Sequence, residues 1–286
     1  MRRPKFQTRQ DDLPANLTRQ IDSLQRGLEV LRCFRSTDTA LELAEVANRM
    51  GLSKLTTLRL LETLEQHGFV LRLKGTDKFV LHVACLIVGQ AVLGSSVIVK
   101  AGSPLLKPFV DRWGGQAMVC VQERLEMLVL SQATAHGVTS NGLGVGMRIP
   151  LINTAMGHAW LWSQPSQIQT TWIDRMRSDH KGQGAMLSNL YRSFQSLEEK
   201  RVCQTFSPER PDLIYMGSPV NLPNGVIAVV GCVHSQSVNY IEKESEQLRN
   251  CAIALTQLAF QLQDEASRVR IPNAAAPHKQ LSHKPK

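Results

Sequence analysis

The clearest pattern of apolar and polar positions lies between Leu41 and Val70 and predicts two short helices separated by a tight turn. In the first segment, apolar residues recur at the spacing of one helix face: Leu43, Val46, Ala47 and Met50. Gly51 can adopt the positive φ that ends a helix, and Ser53 is a suitable N-cap for the next. The chain therefore turns sharply between two helices here.

The second helix is predicted from about Lys54 to His67 and has two distinct faces. The core-facing residues follow the i, i+3, i+4, i+7 spacing: Thr57, Leu60, Leu61 and Leu64. The residues expected to point away from the core are Leu55, Thr56, Leu58, Arg59, Glu62 and Thr63. Such a pair is typical of a helix-turn-helix, whose second helix enters a DNA groove. An ordinary helical hairpin with a solvated outer face fits this local pattern equally well.

The segments on either side of the two helices favour DNA binding. A helix is predicted from Asp22 or Ser23 to about Arg35, with a buried side formed by Leu24, Leu28, Leu31 and Phe34. After Gly68 the pattern alternates, which predicts a β-hairpin that turns at Gly75–Asp77 and returns at Lys78–Leu81. Phe69, Leu71 and Leu73 are expected on one face, and Arg72 and Lys74 on the other. Helix, helix-turn-helix and hairpin form the order of a winged helix-turn-helix, in which the hairpin cations lie along the duplex backbone.

An apolar run from Phe79 to Val99 contains no charged residue and is long enough to cross a bilayer. Polar residues interrupt it, at His82, Gln90, Ser95 and Ser96, and it begins inside the predicted hairpin. We expect a buried linker helix over residues 83–102 that packs against a partner chain, with a membrane span as the less favoured alternative.

The remainder predicts an α+β domain over residues 103–265, with an antiparallel sheet surrounded by helices. The predicted helices are Pro104–Trp113, one that follows Asn153 or Thr154, Gln167–Ser178, Ser188–Lys200 and Ile241–Gln263. The predicted strands are residues 116–122, residues 127–133, Met147–Leu151, Leu213–Val220 and Val226–Val233. With the winged helix-turn-helix at residues 21–82, the chain has two domains, as its 286 residues allow.

The net charge of +9 adds little to the DNA-binding interpretation. Residues 1–20 contribute +3 and residues 266–286 contribute +5, so the rest of the chain carries only +1. Both ends are predicted to be disordered basic segments. The argument for DNA therefore depends on where individual cations lie.

Candidate catalytic and metal-binding chemistry is sparse. The chain has no GxSxG, HExxH or P-loop motif, and the Gly142-Gly144-Gly146 stretch predicts a plain loop. Six cysteines without CxxC spacing indicate reduced thiols, and His158 and His234 are expected to be isolated packed or solvated side chains. We expect no cofactor and no metal. An enzyme that converts a small molecule in the second domain stays as the alternative. The first residues lack an apolar signal segment, so we expect a cytoplasmic protein.

One segment of the second domain has the character of an anion site. Arg148 precedes a strand-to-helix turn at Asn153–Gly157, where small residues surround the start of a helix. Free backbone N–H groups and the helix dipole at such a position attract a carboxylate. An ordinary capped helix is the alternative.

The order of motifs resembles the IclR family of bacterial transcriptional regulators over residues 22–263. The resemblance is carried by SLQRGLEVL, by LAEVANRMGLSKLTTLRLLETLEQHGFV, by RIPLINTAMGHAWL and more loosely by IYMGSPVNLPNGVIAVVG. It implies a winged helix-turn-helix, a linker helix and a GAF-like effector-binding domain. It also implies a homodimer or homotetramer that binds a pseudo-palindromic DNA operator under the control of a small organic acid, usually of a catabolic pathway.

The resemblance and the helix faces together nominate two sets of residues. The expected DNA-binding residues are Arg26, Lys54, Leu55, Thr56, Leu58, Arg59, Arg72, Lys74 and Lys78. The expected effector-binding residues are Arg148, Asn153, Thr154, Ala155, Met156, Gly157, Thr205, Tyr215, Cys232 and His234. The sequence departs from the family pattern at Glu42, Leu55, Leu58, Cys232 and His234, so the resemblance does not transfer base preference or effector identity. A DNA-binding scaffold that no longer responds to a ligand is a further alternative.

Overall fold

A computed structural model of the protein describes residues 21–138, 142–179, 183–206, 212–223, 225–235 and 242–269. The chain divides into two compact units, residues 1–92 and residues 93–286. The predicted basic arm at residues 1–20 lies outside the described residues, as does the tail from residue 270 onwards.

The first unit has the predicted winged helix-turn-helix order. Its elements are α1 (Asp22–Cys33), β1 (Leu41–Glu42), α2 (Leu43–Met50), α3 (Lys54–Gln66), β2 (Val70–Arg72), β3 (Lys78–Leu81) and most of α4 (Cys85–Ser95), which continues past the unit boundary. Gly51 ends α2 with φ 65°, and Ser53 caps α3, both as predicted. The strands form an antiparallel sheet in the order β1-β3-β2. The core contains Val30, Phe34, Leu41, Val46, Leu61, Val70 and Phe79.

Two faces of the first unit differ from the sequence prediction. In α1 the buried residue is Val30, whereas Leu24 and Leu28 are 59% and 52% exposed, so the predicted buried side is wrong for both leucines. In the hairpin Val70 and Phe79 are buried and Leu71 is exposed, so the core side is the face that also carries Arg72. Alternate residues of a strand face opposite sides, so an error of one residue in the predicted alternation exchanges the core face and the solvent face.

The linker helix predicted over residues 83–102 is wrong, because the chain forms two helices there. The first, α4, ends at Ser95, and α5 (Val97–Trp113) begins after Ser96, which is extended and whose side chain accepts a hydrogen bond from Val99 N. The predicted helix start at Pro104 is also wrong, because Pro104 lies inside α5. No residue of α4 is buried. Among the described residues no single helix is long and apolar enough to cross a membrane, although α4 and α5 taken together as a broken pair meet that test.

The second unit is a six-stranded antiparallel sheet in the order β6-β5-β4-β9-β8-β7, as the α+β prediction requires. Its strands are β4 (Gln116–Glu123), β5 (Glu126–Thr134), β6 (Arg148–Pro150), β7 (Cys203–Phe206), β8 (Leu213–Asn221) and β9 (Ile227–Ser235). Besides α5, its helices are α6 (Ala155–Trp162), α7 (Ser166–Asp179), α8 (Gln183–Lys200) and α9 (Glu242–Arg268). The edge strand β7 is absent from the sequence prediction, and α9 continues beyond residue 265.

Helices cover both faces of this sheet. Ile214, Met216 and Cys232 face the core that is shared with α5 and α9. Leu213, Val229 and Val233 face the core that is shared with α6 and α8. The α6 backbone lies close to the sheet because Gly217 has no side chain: a Cβ there would stand 2.6 Å from the carbonyl oxygen of Ala155. The start of α6, the predicted anion site, is thus pressed directly onto the strands.

Candidate DNA-binding and effector sites

The start of α3 is rigidly capped and presents side chains to solvent. The Ser53 hydroxyl accepts a hydrogen bond from Thr56 N at 3.2 Å and shares a 2.9 Å hydrogen bond with Thr56 Oγ1. Lys54 and Arg59 are exposed, and neither forms a salt bridge with any residue that the structure describes. Leu55 is 69% exposed. The cap therefore fixes a helix start with two unneutralised cations and one exposed leucine.

The structure separates the two leucines that the sequence places together on the outer face. Leu58 is half-buried and packs against the core of the first unit, three residues before the fully buried Leu61. The expectation that Leu58 points away from the core is wrong, because its position extends the apolar stripe by one turn. The outward expectation holds for Leu55.

The hairpin cations differ in how far the protein itself neutralises them. Arg72 forms an ion pair with Asp77, donates from Nε to the Thr76 carbonyl at 3.1 Å and lies 5.6 Å from the centre of the Phe79 ring. Lys78 Nζ is 3.8 Å from Glu42 Oε1. Lys74, like Arg26 on α1, is exposed and has no salt bridge among the described residues. Arg72 therefore stiffens the hairpin tip, and Lys74 has its charge available.

Arg49 joins α2 to the connection that follows α1. Its guanidinium donates to Asp38 Oδ2 at 2.6 Å, to Glu45 Oε1 at 2.6 Å and to the Cys33 carbonyl at 2.9 Å. The hydrogen bond from Arg49 lowers the pKa of Asp38 below its usual value. Sequence reasoning missed this network, whose only sequence signal is the i, i+4 spacing of Glu45 and Arg49.

Side chains of the protein already bond the backbone N–H groups of Ala155 and Gly157 at the start of α6. Thr154 Oγ1 accepts from Gly157 N at 3.2 Å and donates to the Pro150 carbonyl at 2.7 Å. On β7, Thr205 Oγ1 accepts from Ala155 N at 2.9 Å, and Cys203 Sγ donates to the Ala155 carbonyl at 3.3 Å. Of the two predicted caps, Asn153 and Thr154, the structure uses Thr154, and the helix start is held from both sides.

His158 anchors this turn to α8. Its Nε2 lies 2.7 Å from the Ile152 carbonyl and its Nδ1 lies 2.8 Å from Ser193 Oγ. Burial lowers the pKa of His158 to about 4. The imidazole is therefore neutral at pH 7, with Nε2–H donating to the carbonyl and Nδ1 accepting from the hydroxyl. The expectation of a packed histidine is confirmed, and its bridging role was not predicted.

The structure does not bring the ten expected effector residues into one site. Thr205 and Tyr215 are paired across β7 and β8 on the face that packs against α6, and Tyr215 pairs on its other side with Val233. Cys232 and His234 precede and follow Val233, so both lie on the opposite face, towards α9. The expectation that Cys232 and His234 lie beside Thr154–Gly157 is therefore wrong, because neighbouring residues of a strand face opposite sides of the sheet. Arg148 is exposed on β6, with Nη1 3.8 Å from Glu126 Oε2, and Asn153 is exposed beside the turn.

On that opposite face Cys232 and His234 meet Cys251 of α9. Cys251 Sγ is 3.2 Å from His234 Nε2 and 4.0 Å from Cys232 Sγ. The hydrogen bond with Cys232, and the contact with His234, lower the pKa of the Cys251 thiol against the opposing effect of burial. Burial, reinforced by Cys251, raises the pKa of Cys232. His234 is thus part of a cluster, and the expectation of an isolated side chain is wrong.

Comparison with known proteins agrees with this architecture. Residues 23–73 match the IclR helix-turn-helix domain. The acetate operon repressor of Salmonella typhimurium is 28% identical over 168 residues, which are 58% of this chain and 61% of that protein. The match thus spans about three fifths of that relative's length.

Solved structures share the fold over most of the chain. An IclR-family transcriptional regulator from Brucella abortus has a TM-score of 0.75 at 23% identity, covering 88% of this chain and 94% of that one. An IclR homologue from Microbacterium hydrocarbonoxydans, complexed with 4-hydroxybenzoate, has a TM-score of 0.65 at 19% identity, covering 86% of this chain and 100% of that one. The chain thus matches the IclR helix-turn-helix domain over residues 23–73 and shares its fold, over most of its length, with solved IclR-family structures.

Proposed function

We propose that the protein is a transcriptional regulator that binds a pseudo-palindromic DNA operator and responds to a small organic acid. The observation that carries the DNA-binding part is the exposed start of α3, where Lys54 and Arg59 have no salt bridge among the described residues. Two unneutralised cations beside an exposed leucine suit a helix that meets the phosphates and base edges of DNA. Such a regulator acts in the cytoplasm, where it meets the chromosome.

On DNA each exposed residue has a different task. Lys54, together with Thr56, contacts a phosphate near the start of α3, and Arg59 reaches a base edge in the major groove. Leu55 packs against a thymine methyl group, which suits an A·T-containing half-site. Outside α3, the backbone contacts that set the register come from Arg26, Lys74, Lys78 and the hairpin tip stiffened by Arg72. Leu58 leaves this set because it packs on the core.

A homodimer supplies the two α3 helices that a pseudo-palindrome requires. Apolar side chains of α1 and α4 are exposed in one copy of the chain: Leu24, Leu28, Leu86, Ile87, Val88 and Val92. Exposure of so many large apolar groups is unfavourable in water, and a second copy would bury them. Light scattering of the full chain separates a monomer from a dimer or a tetramer of paired dimers.

We place the acid at the start of α6, near Thr154–Gly157, Thr205 and Tyr215, with Arg148 and Asn153 at the margin. There it competes with the protein's own hydrogen bonds, because Ala155 N already donates to Thr205 Oγ1. An acid that takes this donor shifts β7 relative to α6, which gives the ligand a different affinity for two conformations. The 4-hydroxybenzoate complex of the Microbacterium homologue supports a small acid as the class of ligand.

The DNA-binding proposal is tested by selecting genomic fragments that bind the full chain and measuring affinity for the best fragment. Arg59→Ala should weaken binding by roughly fivefold to 150-fold, because a base contact is worth about 1–3 kcal/mol. Lys100→Ala, which removes an exposed cation in the second unit, is the matched control and should keep its affinity. Equal affinity of wild type and Arg59→Ala for the selected fragment would contradict the proposal.

The effector proposal is tested by titrating small organic acids and following tryptophan fluorescence. Trp160 lies on α6 and contacts Trp172 edge to face, with ring centres 5.8 Å apart, so movement of α6 changes its surroundings. A saturable change with one acid, and a matching change in operator affinity, is the expected result. Because internal hydrogen bonds already occupy the N–H groups of Ala155 and Gly157, a ligand-independent DNA-binding protein is the second candidate, and no response to any acid would favour it.

A further inference from the structure

We propose that Cys232, His234 and Cys251 form a binding site for Zn²⁺ or another thiophilic metal ion. Cys232 and His234 are two residues apart on β9 and so share one face of the sheet, and Cys251 projects from α9 onto that face. The three donor atoms, Cys232 Sγ, His234 Nε2 and Cys251 Sγ, all lie within 4.8 Å of one another. The site is separated from the α6 turn by the thickness of the sheet.

The donor spacing fits one tetrahedral ion. With Zn–S about 2.3 Å and Zn–N about 2.0–2.1 Å, neighbouring donors of a tetrahedron stand roughly 3.5–3.8 Å apart. The sulfur–nitrogen distance of 3.2 Å and the sulfur–sulfur distance of 4.0 Å lie on either side of that range. The third pair, Cys232 Sγ and His234 Nε2, lies within 4.8 Å, so side-chain torsions that move the donors by up to about 1 Å would place all three around one ion.

The donor types select the class of metal. Two thiol sulfurs and one imidazole suit Zn²⁺, whereas Mg²⁺ and Ca²⁺ prefer oxygen donors, and no carboxylate joins this cluster among the described residues. On binding, both thiols release their protons to solvent and ligate as thiolates. The two cysteines are fully buried and His234 is half-buried, so the fourth position faces the His234 side, where water or a ligand group can enter.

The fold holds the imidazole in place from behind. A Cβ at Gly115 would stand 2.4 Å from the Val233 carbonyl oxygen and 3.1 Å from His234 Nδ1, so a larger residue would displace the β9 backbone and crowd the ring. Gly115 also has φ 72°, which disfavours any other residue. A metal ion would tie α9 to β9 at a point where the ring is already confined.

The test uses the full chain, reduced and free of metal, titrated with Co²⁺ as a spectroscopic probe and then with Zn²⁺. One equivalent of Co²⁺ should produce the intense visible bands of a tetrahedral ion and a thiolate-to-cobalt charge-transfer band, and one equivalent of Zn²⁺ should remove both. Zn²⁺ at a hundredfold excess over Kd should raise the Tm by roughly 5–10 °C.

Three variants assign the ligands. Cys251→Ser and His234→Gln should each weaken Co²⁺ binding at least tenfold, while Cys120→Ser, a buried cysteine on the opposite face, should bind as the wild type does. His234 is only half-buried, so its variant tests the site even if Cys251→Ser fails to fold.

Several results would overturn the proposal. The first is the absence of a tetrahedral cobalt spectrum at one equivalent, and the second is an unchanged spectrum in folded His234→Gln. The third is a Cys232–Cys251 disulfide that forms in air even with one equivalent of Zn²⁺ present, detected by the mass loss of two hydrogens. None of these readouts uses DNA or an organic acid, so the site stands or fails independently of the proposed function.

Discussion

Thr205 Oγ1 accepts a hydrogen bond from the backbone N–H of Ala155 at 2.9 Å, which fixes the first residue of α6 to the edge strand β7. The neighbouring Cys203 Sγ donates to the carbonyl of the same residue at 3.3 Å. Both polar groups of Ala155 are thus satisfied by side chains about fifty positions further along the chain. The geometry of the proposed effector turn depends on a strand that adds no charge to it.

Thr205→Val should destabilise the second unit by about 1–3 kcal/mol, because it leaves the buried N–H of Ala155 without an acceptor in a side chain of the same shape. Thr205→Ser keeps the hydroxyl and should lose much less. The free energy of unfolding from urea denaturation compares the two variants with the wild type. Equal stability of the valine and serine variants would show that this hydrogen bond does not hold the turn.

Local sequence pattern predicted the elements of this turn but not what holds them together. Thr154 as cap, α6, β8 and β9 followed from spacing and from residue type, which are local properties. The strand β7 is only four residues long and its partners are remote, so nothing near Cys203–Phe206 marks it as a strand. The face of a strand is also hard to predict. Cys232 and His234, which the resemblance places in the effector pocket, alternate with Val233 and therefore face α9 on the other side of the sheet.

Gly157→Ala should prevent the second unit from folding stably. A Cβ at this position would lie 1.8 Å from the Leu151 carbonyl oxygen, a backbone atom in the tight turn before α6 that cannot rotate away as a side chain can. We expect a loss of at least about 3 kcal/mol, at the upper end for overpacked cores.

Gly144→Ala is the matched control for this glycine. Its Cβ would meet no atom within 4 Å, and its φ lies outside the left-handed region, so its stability should stay within about 0.5 kcal/mol of wild type. Thermal unfolding followed by circular dichroism measures both variants. A Gly157→Ala protein that unfolds at the wild-type temperature would show that the turn is looser than described.

His158 should make the second unit sensitive to acid. Burial holds its pKa at about 4, below the ordinary value of 6.5, so the unfolded chain binds the proton more readily than the folded one. Stability is therefore complete above pH 6.5 and falls as the pH drops towards 4, by about 3 kcal/mol for this one group.

The variant His158→Gln isolates this contribution. Glutamine can still donate to the Ile152 carbonyl but cannot titrate, so its urea midpoint should change less between pH 6.5 and 4.5 than that of the wild type. The glutamine variant is expected to be less stable at pH 7, because it loses the contact with Ser193. If the urea midpoints of the two proteins fell equally between pH 6.5 and 4.5, His158 would not be the source of the acid sensitivity.

In the helix-turn-helix, helical spacing did not predict correctly which side chains of α3 are exposed. Spacing alone placed Leu55 and Leu58 together on the outer face of α3, yet only Leu55 is exposed. A helix face is wide, and how far its apolar stripe extends depends on the neighbours that cover it. We therefore expect Leu58 to contribute to stability and not to DNA binding, and Leu55 to contribute to DNA binding and not to stability.

Leu55→Ala should leave the free energy of unfolding within about 0.5 kcal/mol of wild type, whereas Leu58→Ala should lower it by roughly 1–2 kcal/mol through lost packing.

For affinity to the selected DNA fragment, Leu55→Ala should have the larger effect of the two variants. Leu55→Ala loses its apolar contact with a thymine methyl group and should bind roughly fivefold to tenfold more weakly, at about 0.8 kcal/mol per buried methylene. Leu58→Ala, measured at a temperature where it is fully folded, should bind as the wild type does. If Leu58→Ala lost DNA affinity without losing stability, this leucine would face the groove after all, and α3 would have to rotate on binding.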